Sequence, residues 1–251
     1  MRNAEQRERD AEPFVDTGRL RLLQTEILES GFERDALLEE MRVVPTCGLN
    51  VALAWPLPHF LKPAYEDLAL RICQLGAAAY VYPFAQTHIT LVTAVSFRQN
   101  LNPGPEAIAR VAEASKELGN FVAAATRGMR PFTISVGPPV LARRAAFLPM
   151  LNPTLEVASL RRGILAFCQD FGVPLDQARA PQGLHATILR FFRDPQDRAG
   201  YLAAFHDIAR SVPPSQVTIE QILITLETRP YMWRGEIARM IGLDAGVSGT
   251  G

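Results

Sequence analysis

Two short strings of the same form, each inside an apolar run, constrain the fold of this chain more than any other feature. His88 and Thr90 belong to the first string, and His185 and Thr187 belong to the second. In both, the threonine follows the histidine by two residues and an aliphatic residue comes next. Side chains two residues apart in a β-strand point to the same face. Each string therefore predicts a strand that presents an imidazole and a hydroxyl side by side.

Two such strands facing each other would form a site for acid–base chemistry. One histidine would accept a proton while the other donates one, and which of them is the base is open. The hydroxyls of Thr90 and Thr187 would donate hydrogen bonds to a charged group held between the strands. These residue types outline a site that cleaves a phosphodiester, with His88 and His185 as its catalytic residues.

Strand-like and helix-like patterns alternate along the rest of the chain. Residues 1–45 are rich in charge and predict two short amphipathic helices separated by Gly31. The later segments predict, in chain order, a strand over 49–55, a helix over 62–75, a strand over 87–97, a helix over 105–118, strands over 132–136 and 140–150, a helix over 155–171, a strand over 184–192, a helix over 198–211, a strand over 217–228 and its hairpin partner over 231–241. Both histidine strings thus occupy equivalent places in successive helix–strand–helix units. This order predicts an α/β (α+β) fold of two lobes related by a pseudo-twofold axis, with one string from each lobe.

The domain boundaries follow from the same patterns. We expect a helical N-terminal extension over 1–45, a two-lobed domain over 46–243 and a flexible tail over 244–251. The lobes span about 46–140 and 141–243, and strands can be exchanged between them. The amphipathic helices of the extension could dock a partner protein or pack back on the lobes, and the second is the simpler interpretation.

Composition and charge exclude several classes of protein. Lysine plus arginine and aspartate plus glutamate both number 26, so the broad basic surface of a protein that binds duplex DNA is not expected. The three cysteines have no CxxC spacing, which predicts neither a disulfide framework nor a structural zinc site. No apolar run approaches the length of a membrane span. We therefore expect a cytoplasmic protein with no cofactor, metal or membrane partner, and its oligomeric state is open.

The paired strings resemble those of the 2H phosphoesterase superfamily, which includes the bacterial RNA 2′,3′-cyclic phosphodiesterases, also known as 2′-5′ RNA ligases. The resemblance covers about residues 46–243, and the opening strand that ends near Pro58 is similar to the first strand of that family. It implies antiparallel sheets with helices outside and a central groove. It also implies metal-independent hydrolysis of a 2′,3′-cyclic phosphate, or of a related nucleotide or RNA phosphodiester, in RNA processing. Arg190 fits the basic residue often found shortly after the second string, and with Thr90 and Thr187 it would bind the substrate phosphate.

Aromatic residues beside the strings are candidates for contact with a nucleotide base. Tyr82, Phe84 and Phe192 flank the two strings and could stack on a base, as aromatic side chains do in single-stranded nucleotide sites. Residues 1–45 have no counterpart in the family pattern, so several substrates stay open: RNA 2′,3′-cyclic ends, small cyclic nucleotides, 2′,5′-linked oligonucleotides and ADP-ribose cyclic phosphate. The alternative is a non-catalytic module that binds a nucleotide or an RNA end. Binding alone, however, does not need two proton-transfer groups.

Overall fold

The computed structural model describes residues 17–40, 43–76, 78–151 and 155–244. Its helices and strands are, in chain order, α1 (Thr17–Ser30), α2 (Ala36–Glu39), β1 (Gly48–Ala54), α3 (Lys62–Cys73), β2 (Ala79–Val81), β3 (Ile89–Val95), α4 (Pro105–Ala125), β4 (Phe132–Val136), β5 (Val140–Leu141), β6 (Ala145–Leu151), α5 (Leu155–Phe171), β7 (His185–Phe191), α6 (Arg198–Arg210), β8 (Ser215–Ile219), β9 (Gln221–Arg229) and β10 (Arg234–Gly242). Short 3-10 turns cover His59–Leu61, Phe84–Gln86, Phe97–Gln99 and Pro230–Met232. The start of the predicted extension, residues 1–16, and the predicted tail from residue 245 lie outside the described residues.

Four antiparallel strands form the first sheet, in the order β10-β9-β1-β3. Val51 of β1 lies opposite Val92 on one side and Ile224 on the other, so apolar side chains meet across the strands. Helix α4 contacts β1, β9 and β10, and α5 contacts β3. Every residue of β1 is therefore buried. This sheet carries the first histidine string at its edge strand, β3.

The second sheet has the order β2-β7-β6-β4-β8, and β5 pairs with β6 beside this path. Helix α3 contacts β2 and α6, and α6 also contacts β5. The second histidine string lies on β7, between β2 and β6. Both sheets contain strands from both halves of the chain, since β2 pairs with β7 and β9 pairs with β1.

Several predicted elements differ from the observed ones. The predicted strand over 217–228 is two strands, because β8 pairs with β4 in the second sheet whereas β9 pairs with β1 in the first. The chain changes sheet at Glu220, which lies between them. The predicted strand over 140–150 is likewise divided into β5 and β6, which pair with each other. Strand β2 was not predicted, and α4 continues to Ala125, beyond the predicted end at Leu118. The mixed helical and antiparallel class itself is confirmed.

The described part of the N-terminal extension packs against the second sheet. Gly31 ends α1 in the left-handed region, with a φ of +73°, and its N–H donates to the carbonyl of Ile27 at 2.8 Å. The next residue, Phe32, is 5% exposed. Its ring centroid lies 4.1 Å from that of Phe191 in β7 and 5.6 Å from that of Tyr201 in α6. The predicted second helix of the extension is the single turn α2.

Candidate active site

One cavity of about 240 Å³ is lined by His88, Thr90, His185, Thr187 and Arg190. The first two residues belong to the string at β3, and the other three lie in β7. The structure thus brings together, from two different sheets, all the residues that the sequence proposes for catalysis and phosphate binding.

The two histidines are held in the same way. The Nδ1 atom of His88 lies 2.8 Å from the carbonyl oxygen of Gln86, and the Nδ1 atom of His185 lies 2.9 Å from that of Gly183. In each case the carbonyl belongs to the residue two positions earlier. A carbonyl oxygen only accepts, so Nδ1 carries the hydrogen in both rings and Nε2 carries the lone pair of the neutral form. Nε2 is therefore the atom that can take up a proton in each histidine.

Burial keeps both imidazoles neutral in the protein without substrate. Loss of hydration lowers the pKa of His88 from 6.5 to about 4, against the opposing effect of its hydrogen bond to Gln86. Burial also lowers the pKa of His185, and the positive charge of Arg190 acts in the same direction on both rings. At neutral pH the cavity therefore presents two proton acceptors.

The local backbone places the two strings differently. In β7, the spacing of two residues puts the side chains of His185 and Thr187 on the same face of the strand. In the first string, β3 begins after His88, so this histidine lies in the loop before the strand and not inside the predicted strand over 87–97. The hydroxyl of Thr87 donates to the carbonyl of Phe84 at 2.7 Å and holds that loop.

Arg190 is fixed by two tyrosines. Its Nε donates to the hydroxyl of Tyr82 at 3.1 Å, and its guanidinium carbon lies 5.6 Å from the ring centroid of Tyr231. These contacts fix the guanidinium group at the cavity, where it can bind a phosphate oxygen.

None of the three residues predicted to stack on a base is among the residues that line this cavity. Tyr82 is 2% exposed and lies in a cluster that includes Leu38, and Phe84 is 8% exposed and packs against the ring of Tyr65. Phe192 is half-buried against the same cluster as Tyr82. Tyr82 and Phe84 therefore offer no exposed ring face to a base. Both follow the end of β2, Phe84 as the first residue of a 3-10 turn, so the packing of this loop and not strand alternation buries their rings.

Five polar residues of the cavity were not predicted: Asn50, Thr93, Ser96, Arg179 and Glu227. Asn50 interrupts the otherwise apolar strand β1, and asparagine is disfavoured inside strands. This residue could therefore have been recognised from the sequence as a candidate for the site. Arg179 lies in the loop before β7, and Glu227 lies near the end of β9. Neither stands out in the sequence, because charged residues are common at such positions.

Glu227 is a buried carboxyl group in this cavity. It is 5% exposed, and its Oε1 accepts a hydrogen bond from the N–H of Met232 at 2.8 Å. Burial raises its pKa to about 7, although the hydrogen bonds from Met232 and Asn50 and the charge of Arg190 act against this rise. Gly48 lies beside it, and a Cβ there would come within 3.1 Å of the Cβ of Glu227. The glycine thus leaves room for this side chain.

Across the described ranges, no group of three or more histidine, cysteine, aspartate or glutamate residues is placed to hold a metal ion. Within that same part of the chain, no helix combines the length and the apolar character needed to cross a membrane. The three cysteines, Cys47, Cys73 and Cys168, are free thiols.

Comparison with known proteins gives similarity in structure only. The crystal structure of E. coli LigT in apo form is similar with a TM-score of 0.51 and 14% identity, over 79% of this chain and 98% of LigT. TT0787 of Thermus thermophilus gives a TM-score of 0.46 and 15% identity, over 78% of this chain and 97% of that protein. The crystal structure of E. coli LigT complexed with 3′-AMP gives a TM-score of 0.49 and 15% identity, over 79% of this chain and 98% of that protein. No family model matches the sequence, and no curated protein matches it.

The chain has the fold of E. coli LigT. The antiparallel sheets with outer helices that the resemblance to 2H phosphoesterases implied are therefore confirmed. The match takes in nearly all of LigT but about four fifths of this chain, so this chain is the longer of the two. At 14% identity the similarity concerns the fold, and the chemistry has to be argued from the side chains of the cavity.

Proposed function

We propose that this protein is a metal-independent phosphodiesterase that hydrolyses a 2′,3′-cyclic phosphate, or a related nucleotide or RNA phosphodiester, by two-histidine acid–base catalysis. The observation that carries the proposal is the matched setting of His88 and His185. Both line one cavity, and both have Nδ1 bonded to a carbonyl two residues earlier. Such a pair supplies a base and an acid to one bound group.

Hydrolysis of a cyclic diester needs two proton transfers. One histidine takes a proton from the attacking water through Nε2, and the other, in its protonated form, gives a proton to the ribose oxygen that leaves phosphorus. A new P–O bond forms to the water oxygen, one P–O bond to ribose breaks, and a phosphate monoester results. Because burial keeps both rings neutral before substrate binds, the negative charge of the bound phosphate is what favours the protonated form of the acid.

The remaining cavity residues would stabilise the charge that develops on phosphorus. Attack by water adds negative charge to the non-bridging oxygens, and donors aimed at those oxygens lower the barrier. Thr90 and Thr187 would donate their hydroxyl hydrogens to them, and Arg190 would add a positive charge held by Tyr82. Base, acid and charge stabilisation are all supplied by side chains, so the proposed steps need no metal.

The substrate in this proposal is a nucleotide or an RNA end with its phosphodiester in the cavity. We expect no binding of duplex DNA, because acidic and basic residues are equal in number. We also propose a cytoplasmic location and no membrane partner; the free thiols of the three cysteines suit a reducing compartment.

Hydrolysis of 2′,3′-cyclic nucleotides and of an oligoribonucleotide ending in a 2′,3′-cyclic phosphate, both in EDTA, tests the proposal. We expect turnover to phosphate monoesters under these conditions. Activity that appears only when a divalent ion is added would overturn the two-histidine mechanism. Binding of these compounds without any turnover would support the non-catalytic module instead.

A further inference from the structure

A second cavity, of about 590 Å³, adjoins the first, because Arg179, His185, Thr187 and Arg190 line both. Its far side is formed by residues 33–36, which belong to the N-terminal extension. A molecule that binds at the two histidines can therefore extend into this second cavity.

Positive charge is concentrated in the second cavity. Five arginines line it against two carboxylates, whereas basic and acidic residues are balanced at 26 each in the whole chain. The charged residues of the lining are Arg34, Arg98, Arg144, Arg179, Arg190, Glu33 and Asp35. Guanidinium groups are suited to phosphate, because their planar donors can bind two of its oxygens at once. The chemistry of the lining is that of an anion site.

The arginines differ in how firmly they are already paired. Arg144 is exposed and contacts Glu33 at 2.7 Å, a surface pair that contributes little stability. Arg98 pairs with the buried carboxylate of Asp35. Arg179 has no carboxylate within ion-pair distance in the part of the chain that the structure describes, and its guanidinium lies 3.4 Å from the hydroxyl of Ser96. Arg179 and Arg144 can therefore turn to an incoming anion at small cost.

Hydrogen bonds to the rest of the protein hold the extension in place as one wall of this cavity. The N–H of Asp35 donates to the carbonyl of Phe191 at 2.7 Å, and the N–H of Glu33 donates to that of Arg143 at 2.8 Å. The carboxylate of Asp35 also accepts the hydroxyl of Tyr231. Burial raises the pKa of Asp35, but the bonds from Tyr231 and from an arginine outweigh this effect and leave its pKa lowered. Residues 33–35 thus bind to both the second sheet and the loop before β10.

We propose that the second cavity is a subsite for a second phosphate group of the substrate. This inference rests on the proposed function: the scissile diester lies at the two histidines, and the second phosphate lies among the arginines. That phosphate can be the next linkage of an RNA strand or a 5′-phosphate of a cyclic nucleotide, since both present anionic non-bridging oxygens to the arginines. The preferred substrates then carry at least two phosphates, and the extension supplies part of the selectivity.

Paired substrates that differ only in the charge or the presence of the second phosphate test the subsite. The first pair is a diribonucleotide ending in a 2′,3′-cyclic phosphate, made with either a phosphodiester or an uncharged methylphosphonate linkage. The second pair is adenosine 2′,3′-cyclic phosphate with and without a 5′-phosphate. We expect kcat/KM to be about tenfold higher for the charged member of each pair. This factor corresponds to the lower end of the free-energy range for a hydrogen bond to a charged group. A gain in the first pair alone identifies an RNA linkage, and a gain in the second alone identifies a terminal phosphate. Equal values within both pairs would overturn the inference.

Charge variants at the rim of the cavity show whether the arginines cause the preference. Arg144→Gln is expected to reduce the ratio between charged and uncharged substrates, and Glu33→Gln is expected to increase it, because it releases Arg144. Arg110→Gln is the matched control, since Arg110 is an exposed arginine of α4 paired with Glu106 outside both cavities. An unchanged ratio in both cavity variants would refute the assignment.

Equilibrium binding separates failure of the subsite from failure of the proposed function. Calorimetry of the two diribonucleotide 3′-monophosphates, with phosphodiester or methylphosphonate linkage, measures the effect of the second charge without any turnover. If no cyclic substrate is hydrolysed, the proposed function fails, and tighter binding of the charged compound would still support the subsite. Equal binding of the two compounds counts against the subsite whatever the activity.

Discussion

Replacing Glu227 with glutamine is expected to raise the free energy of unfolding relative to that of the wild type, and this gain is expected to be larger at alkaline than at acidic pH. Glu227 is 5% exposed, and burial raises its pKa from 4.5 to about 7. Between these values the folded protein holds the proton more tightly than the unfolded chain does, so stability falls as the pH rises from 4.5 to 7. One pKa unit corresponds to about 1.4 kcal/mol, so ionised Glu227 lowers the free energy of unfolding by ~3 kcal/mol. Glutamine does not ionise and avoids this loss.

Urea unfolding at several pH values measures this effect. The free energy of unfolding of Glu227→Gln minus that of the wild type is expected to grow by roughly 2 to 3 kcal/mol from pH 5 to pH 8. A weaker hydrogen bond to the N–H of Met232 would change this difference by the same amount at every pH. Glu236→Gln is the matched control, because Glu236 is an exposed carboxyl group in β10. A difference for Glu227→Gln that stays constant with pH would refute the reasoning.

Three other perturbations test the site and the extension. The pH profile of kcat/KM is expected to be bell-shaped with its maximum below pH 6.5, because burial lowers the pKa of both His88 and His185; a maximum on the alkaline side of 6.5 would argue against these directions. Arg190→Lys is expected to lower kcat/KM about tenfold or more, since lysine cannot make a bidentate contact with phosphate; wild-type kinetics would remove Arg190 from phosphate binding. Phe32→Ala is expected to lower the free energy of unfolding by ~3 kcal/mol, because a buried aromatic ring is lost; urea unfolding checks this, and no loss would mean that the extension does not pack as described.

The central residues of the site could be predicted because their signal is local. A histidine and a threonine two residues apart in an apolar run indicate one face of one strand, and this spacing can be read without knowing the rest of the fold. His185 and Thr187 share one face of β7 as expected, whereas His88 lies just before β3 begins. The bounds of β1, α3 and α5 were close to the prediction for the same reason, since each has a clear period of its own. The prediction that His88 and His185 meet in one site depended on the resemblance to 2H phosphoesterases and on the equivalent places of the two strings in the order of helices and strands.

Partners between distant segments could not be predicted in this way. Nothing near Glu220 indicates that β8 and β9 belong to different sheets, because the choice of a sheet partner depends on residues far along the chain. Glu227 reaches the cavity only because β9 pairs with β1. Asp35 lines the second cavity, where its carboxylate accepts the hydroxyl of Tyr231, a residue with a φ of +56° almost two hundred positions along the chain. Such contacts become visible only when the fold is complete.

The measurement that tests the central claim most directly is hydrolysis of a 2′,3′-cyclic phosphate in EDTA by His88→Ala, His185→Ala and the double variant. Each single variant is expected to lose on the order of 100-fold or more in kcat/KM, and the double variant little beyond that, because the two histidines act in one reaction. His206→Ala, at a histidine of α6 that bonds to Gln24 outside the cavity, is the matched control and is expected to keep wild-type activity. A folded His88→Ala or His185→Ala protein with wild-type kcat/KM would contradict the account.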